Sequence, residues 1–101
     1  MRTSYNLTDI QERTTRLIKE EIIRLVKSTG STELSLAEPV EVAVRGIDEV
    51  WAEEIESIVI KETGEIYYLF STANYEVEEH TILDGEWIRI LIEIENTLNI
   101  Q

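Results

Sequence analysis

The chain has no cysteine, one proline, one histidine and four glycines in 101 residues, and only nine bases stand against 21 acids. Without cysteine neither a disulfide framework nor a thiolate metal site can form, which excludes a stapled secreted scaffold. No stretch approaches the roughly 18 consecutive apolar residues of a membrane-spanning helix, and residues 1–15 lack the apolar core of a signal peptide. A cytoplasmic protein is therefore expected. With His80 as its one histidine, the chain offers a single candidate for the base of a Ser-His-Asp arrangement, and nothing near it resembles a nucleophile elbow. Gly30, Gly46, Gly64 and Gly85 are spread one per turn, so no glycine-rich loop is present to cradle a phosphate.

What is present is an ordinary apolar content of 43% beside a charged content of 30%. That is enough hydrophobic material for one modest core and argues against disorder. The length predicts one domain over residues 1–101. Net charge is −12, and it is unevenly placed. Residues 1–30 hold six bases and four acids, a net of +2, whereas residues 31–101 hold three bases and seventeen acids, a net of −14. A surface of this sign repels phosphate backbones and anionic lipid, so neither direct nucleic-acid binding nor membrane binding is expected.

Periodicity predicts a helix over residues 8–29, with Thr8 and Gln11 as a capping box and Gly30 as its stop. Leu7, Ile10, Leu17, Ile18, Ile22, Leu25 and Val26 are read as its apolar stripe, with Arg13, Arg16, Arg24 and Lys27 on the back and Glu20 among them. The middle reads as strands. Glu33 to Leu36 is a short one that Ala37-Glu38-Pro39 breaks; Val40, Val42 and Val44 then alternate with Glu41, Ala43 and Arg45. Val50 to Lys61 is expected to be the longest strand, and Thr63-Gly64 turns it into Ile66 to Ser71, apolar on both faces. Ala73-Asn74 turns the chain into a last strand, Tyr75 to Ile82.

Residues 84–99 fit two patterns. Ile88, Ile90, Ile92 and Ile94 alternate as in a strand, yet Trp87, Ile90, Leu91, Ile94 and Leu98 make a complete helical stripe. The segment is too long for a typical strand of about five or six residues, so a helix is predicted, with Asp84 able to cap it. The expected fold class is α+β: a two-layer sandwich in which an antiparallel β-meander of four or five strands carries an N-terminal and a C-terminal helix on one face.

That architecture leaves the other sheet face open. Alternation assigns Glu41, Glu76 and Glu78 to it, with Glu54 and Glu56 as further candidates and Tyr67 as an aromatic contact point. The expected function is that of a non-enzymatic protein-interaction or assembly module acting through this face, on a basic protein partner and with no cofactor. A nucleic-acid mimic that inhibits a DNA-binding protein is the sharper form of the idea. A homo-oligomer is a second expectation, its apolar centre drawn from Tyr67, Leu69, Ile58 and Ile60. A small metal-dependent or acid–base enzyme is the third, since Glu76, Glu78 and His80 would share one strand face and suit a divalent ion. Runs of charge are more often solvated surface, and no motif in the chain resembles a family signature.

Overall fold

A computed structural model describes residues 7–70 and 76–100, with side chains for residues 12–70 and 76–99. Its elements run in the order α1 (Leu7–Lys27), β1 (Glu33–Arg45), β2 (Val50–Ile60), β3 (Ile66–Phe70), β4 (Glu76–Glu78) and α2 (Trp87–Ile100), with two 3₁₀ turns, Glu79–Thr81 and Asp84–Glu86, before α2. The four strands form an antiparallel sheet in sequential order, and both helices pack against it. The fold is α+β, as the alternation of periods predicts. The predicted capping box of Thr8 and Gln11, the side chains of Leu7 and Ile10, the Ala73-Asn74 turn and Tyr75 lie outside the described side chains.

One core joins the two layers. Ile22 and Val26 from α1 and Trp87, Ile90 and Ile94 from α2 meet Leu34, Val42 and Val44 of β1, Ile55, Ile58 and Ile60 of β2, and Ile66, Tyr68 and Phe70 of β3. The strand residues in that group stand on one face of the sheet: Leu34, Ile58, Tyr68 and Val77 are consecutive partners across all four strands. Lys61 and Glu65 close the β2–β3 hairpin backbone to backbone at 2.9 Å, around Gly64 at φ 90°. In the β1–β2 turn, Gly46 lies under the Trp51 ring, where a Cβ would come within 2.9 Å of the indole.

Several expectations are corrected. Ala37-Glu38-Pro39 does not break the chain into two strands; β1 runs through it as a single 13-residue strand and outlasts the 11 residues of β2. The pairing register slips between Ser35 and Val40, so residues 36–39 face Glu56 alone. Pro39 fits because β1 is an edge strand and this stretch has no ladder bond to lose. Ala37 N–H is instead taken by Thr97 Oγ1 of α2 at 3.0 Å. Leu17, read as part of the apolar stripe, is 56% exposed: at 100° per residue it points away from Ile22 and Val26. Asp84 does not cap α2 but opens the 3₁₀ turn ahead of it, and α2 begins at Trp87.

The last predicted strand is also cut short. After three residues of β4 the chain coils through Glu79–Thr81, and Ile82 then bridges to Val44 on the far side of the sheet. Leu83 N–H reaches Ala43 O at 3.2 Å, and Ala43 N–H donates to Glu86 Oε1 at 2.6 Å. This covers part of the β1 edge and delivers the chain to the start of α2. Among the described residues no helix is long and apolar enough to cross a membrane.

Candidate interaction face

Since the helices share one face of the sheet, strand alternation gives the other face to a separate set of side chains. Glu33, Val59, Tyr67 and Glu78 are consecutive partners across the four strands; Ser35, Ser57, Leu69 and Glu76 form the next row. Beyond the bulge Glu41 stands opposite Glu54, and Ala43 opposite Ala52. Val59, Tyr67 and Leu69 are half-buried, while Glu33, Glu41, Glu54, Glu76 and Glu78 are exposed. The result is an apolar centre with an acidic rim.

Five of the six residues singled out in the sequence, Glu41, Glu54, Tyr67, Glu76 and Glu78, fall in these rows. The sixth, Glu56, is exposed but is the residue both neighbouring strands skip, so it has no place in the cross-strand register. Ile58 and Ile60, expected at the centre of this face, are instead buried beneath the helices. A directly opposed pair of carboxylates such as Glu41–Glu54 is unfavourable by about 0.2–1 kcal/mol relative to neutral residues.

At the β3–β4 end the rim is knit together. Lys61 Nζ lies 4.8 Å above the centre of the Tyr67 ring and 3.2 Å from Glu76 Oε2. Tyr67 O–H donates to Glu78 Oε1 at 3.1 Å, and the second oxygen of Glu78 is 3.1 Å from His80 Nδ1. Tyr67 is thus held on its ring face and at its hydroxyl, a rigid aromatic anchor. Lys61, Val59 and Glu33 escaped the sequence reading, because assigning them needs the pairing register across the β1 bulge. The signal present was Thr63-Gly64, which brings Lys61 back toward β3.

The expected trio of Glu76, Glu78 and His80 does not form on one strand face, since His80 sits in the 3₁₀ turn that follows β4. Glu76 turns to Lys61, and among the described residues no three His, Asp or Glu side chains come together as a metal-ligand group. A separate open groove of ≈ 590 Å³, lined by Ala37, Glu38, Glu93, Asn96 and Asn99, lies between the β1 bulge and α2.

The hydrogen bond from its hydroxyl to Glu78 raises the pKa of Tyr67 above the ordinary 10.0, with desolvation and the surrounding carboxylates adding to the effect. A folded-state value above the unfolded one means that the contact stabilises the fold below pH 10 and is lost as pH rises through the raised value. Ultraviolet titration of the phenolates should show a late-titrating component that Tyr67→Phe removes. If Tyr67→Phe removes a component of ordinary pKa, the hydroxyl–carboxylate contact is wrong.

Comparison with protein-family models, with curated proteins and with solved structures gave no match, so the geometry of this face carries the functional reading.

Proposed function

We propose that the chain is a non-enzymatic interaction module whose open sheet face captures a basic protein surface. The observation that carries this reading is the pairing register, which gathers Val59, Tyr67 and Leu69 into one half-buried patch inside a rim of Glu33, Glu41, Glu54, Glu76 and Glu78. A rigid aromatic centre supplies contact area at little entropic cost, while the rim supplies steering and register. Proteins that hold DNA in a basic groove fall within this partner class.

The test uses a fluorescent synthetic amphipathic helix of lysine and leucine, with leucine at i, i+3, i+4 and i+7, titrated by anisotropy at low and at high salt. Glu41→Lys/Glu54→Lys changes net charge by +4 on the face; Glu62→Lys/Glu95→Lys makes the same change away from it. We expect the first variant to weaken binding at least about tenfold, a loss near 1.4 kcal/mol, and the second to bind within about twofold of the parent protein. Equal losses in both would mean that only net charge acts, and the face would lose its role.

A further inference from the structure

The acidic sheet has a counterpart on the same molecule. Among the described cations, Lys19 reaches Glu79 at 3.7 Å, Arg24 grips Glu21 at 2.6 Å, Lys61 reaches Glu76 and Arg89 reaches Glu86 at 3.2 Å, and Arg45 donates to the His80 carbonyl at 2.9 Å. Arg13, Arg16 and Lys27 make no ion pair with any described residue, although acids outnumber bases by 21 to 9. All three are exposed: Arg13 and Lys27 are turned away from the buried Ile22 and Val26, and Arg16 stands on the flank of α1, where it lines a shallow groove with Glu79 and Asp84. The exposed Leu17 stands among them. With the exposed Glu20 between Arg16 and Lys27, this helix side is still net basic and carries one exposed apolar residue, opposite in sign to the sheet face.

We propose that a second copy of this chain is a partner of the sheet: the outer side of α1 in one copy docks on the open sheet face of the next. The inference rests on the reading of that face as a binding surface and names one occupant for it. Charge decides the geometry. Sheet against sheet would set Glu33, Glu41, Glu54, Glu76 and Glu78 against their own copies, so a two-fold contact through this face is repulsive. Helix on sheet pairs opposite signs. It also joins two different surfaces, so each docked copy still offers one of each and growth continues head to tail.

Dimensions agree. Arg13 to Lys27 spans about 21 Å at 1.5 Å per residue, and four strands about 4.8 Å apart present a face roughly 14 Å across. One helix side is a small contact, in the class of transient interfaces below about 1,200 Å². The overall charge of −12 on each copy opposes approach, but at 0.15 M salt it is screened beyond about 8 Å. Weak, concentration-dependent association follows.

Sedimentation equilibrium at 0.15 M salt, over protein concentrations from tens of micromolar to about 1 mM, where a weak complex near −4.1 kcal/mol populates, reads it directly. The weight-average mass should rise from the 11.7 kDa of one chain to roughly twice that. Arg13→Glu/Arg16→Glu/Lys27→Glu alone should stay monomeric, and so should Glu41→Lys/Glu54→Lys alone. An equimolar mixture of the two should regain the mass increase, because each offers the other opposite charge; both remain net negative, so bulk attraction cannot produce the rescue. Circular dichroism of each variant confirms that it is folded. A constant mass for the parent protein up to 1 mM, a mixture that stays monomeric, or a helix variant that associates like the parent overturns the proposal. If the parent stays monomeric yet still binds the lysine–leucine helix through Glu41 and Glu54, the sheet reading stands and only the self-assembly falls.

Discussion

Replacing Trp87 by alanine should unfold much of the population at physiological temperature. The indole is 0% exposed, sits at the first position of α2, and carries Lys19 Nζ 4.9 Å from its centre on the side of α1. It therefore ties both helices to one place over the sheet. Truncating a fully buried tryptophan costs about 3–5 kcal/mol through lost transfer energy and the cavity left behind. For a domain of this size that corresponds to a fall in Tm of roughly 15–30 °C. Trp87→Phe should behave very differently. Nε1 is buried with no hydrogen-bond partner among the described residues, and an unsatisfied buried donor costs about 1–3 kcal/mol. Phenylalanine removes that donor while keeping most of the packing, so its loss should stay under about 1.5 kcal/mol. Urea unfolding of both variants, with the m-value checked for constancy, separates the two contributions. Comparable losses would mean that the ring is not the joint between the helices.

The second large effect concerns neighbouring residues with opposite fates. Ile58 is 0% exposed, with Leu34 and Tyr68 as its cross-strand partners beneath the helices. Ile58→Lys buries an ammonium with no counter-charge, a change in the exceptional class above about 4–5 kcal/mol. The variant should lose its cooperative unfolding transition. Val59, one residue later, points to the open face between Glu33 and Tyr67. Val59→Lys gives up some β-branched fit, worth at most about 1 kcal/mol, and gains an opposite-charge neighbour in Glu33 worth about 0.2–1 kcal/mol. Its urea midpoint should lie close to that of the parent protein. Two equally damaged variants would show that the sheet is covered on both sides.

The opposite placement of Ile58 and Val59 shows what is legible in the residues and what is not. Alternation in Val40, Val42 and Val44 and the helical stripe of Trp87, Ile90, Leu91, Ile94 and Leu98 are local signals, and local signals suffice for element type and for the order α, four or five strands, α. The uneven charge was equally legible, and so was the helix that begins at Trp87, through its complete apolar stripe; length alone does not decide it, since β1 runs to 13 residues. The extent of β1 was not. Nothing within Ala37-Glu38-Pro39 announces that β1 continues through it, because the compensation for its lost ladder comes from Thr97, 60 residues away in the chain. His80 left its expected strand face for a similar reason: the backbone must leave the sheet to bring Ile82 to Val44.

The candidate face divides the same way. Charge counting located its acidity in residues 31–101, and alternation named Glu41, Glu76 and Glu78, with Glu54, Glu56 and Tyr67 as candidates, of which Glu56 has no place in the register. Their grouping around Val59 and Leu69 depends on a register that slips twice, at residues 36–39 and at Glu56. A side-chain period of two makes every single-residue slip reverse the faces, so only the assembled sheet decides which glutamates become neighbours. The basic side of α1 was visible as spacing, yet that Arg13, Arg16 and Lys27 stay unmatched among the described residues while Lys19 finds Glu79 is a tertiary fact. The type and order of the elements follow from the residues themselves, because propensity and period act over a few residues. The tertiary structure decided which charges meet a counter-charge among the described residues and which stay exposed, because Coulomb pairing acts between residues that only folding brings together.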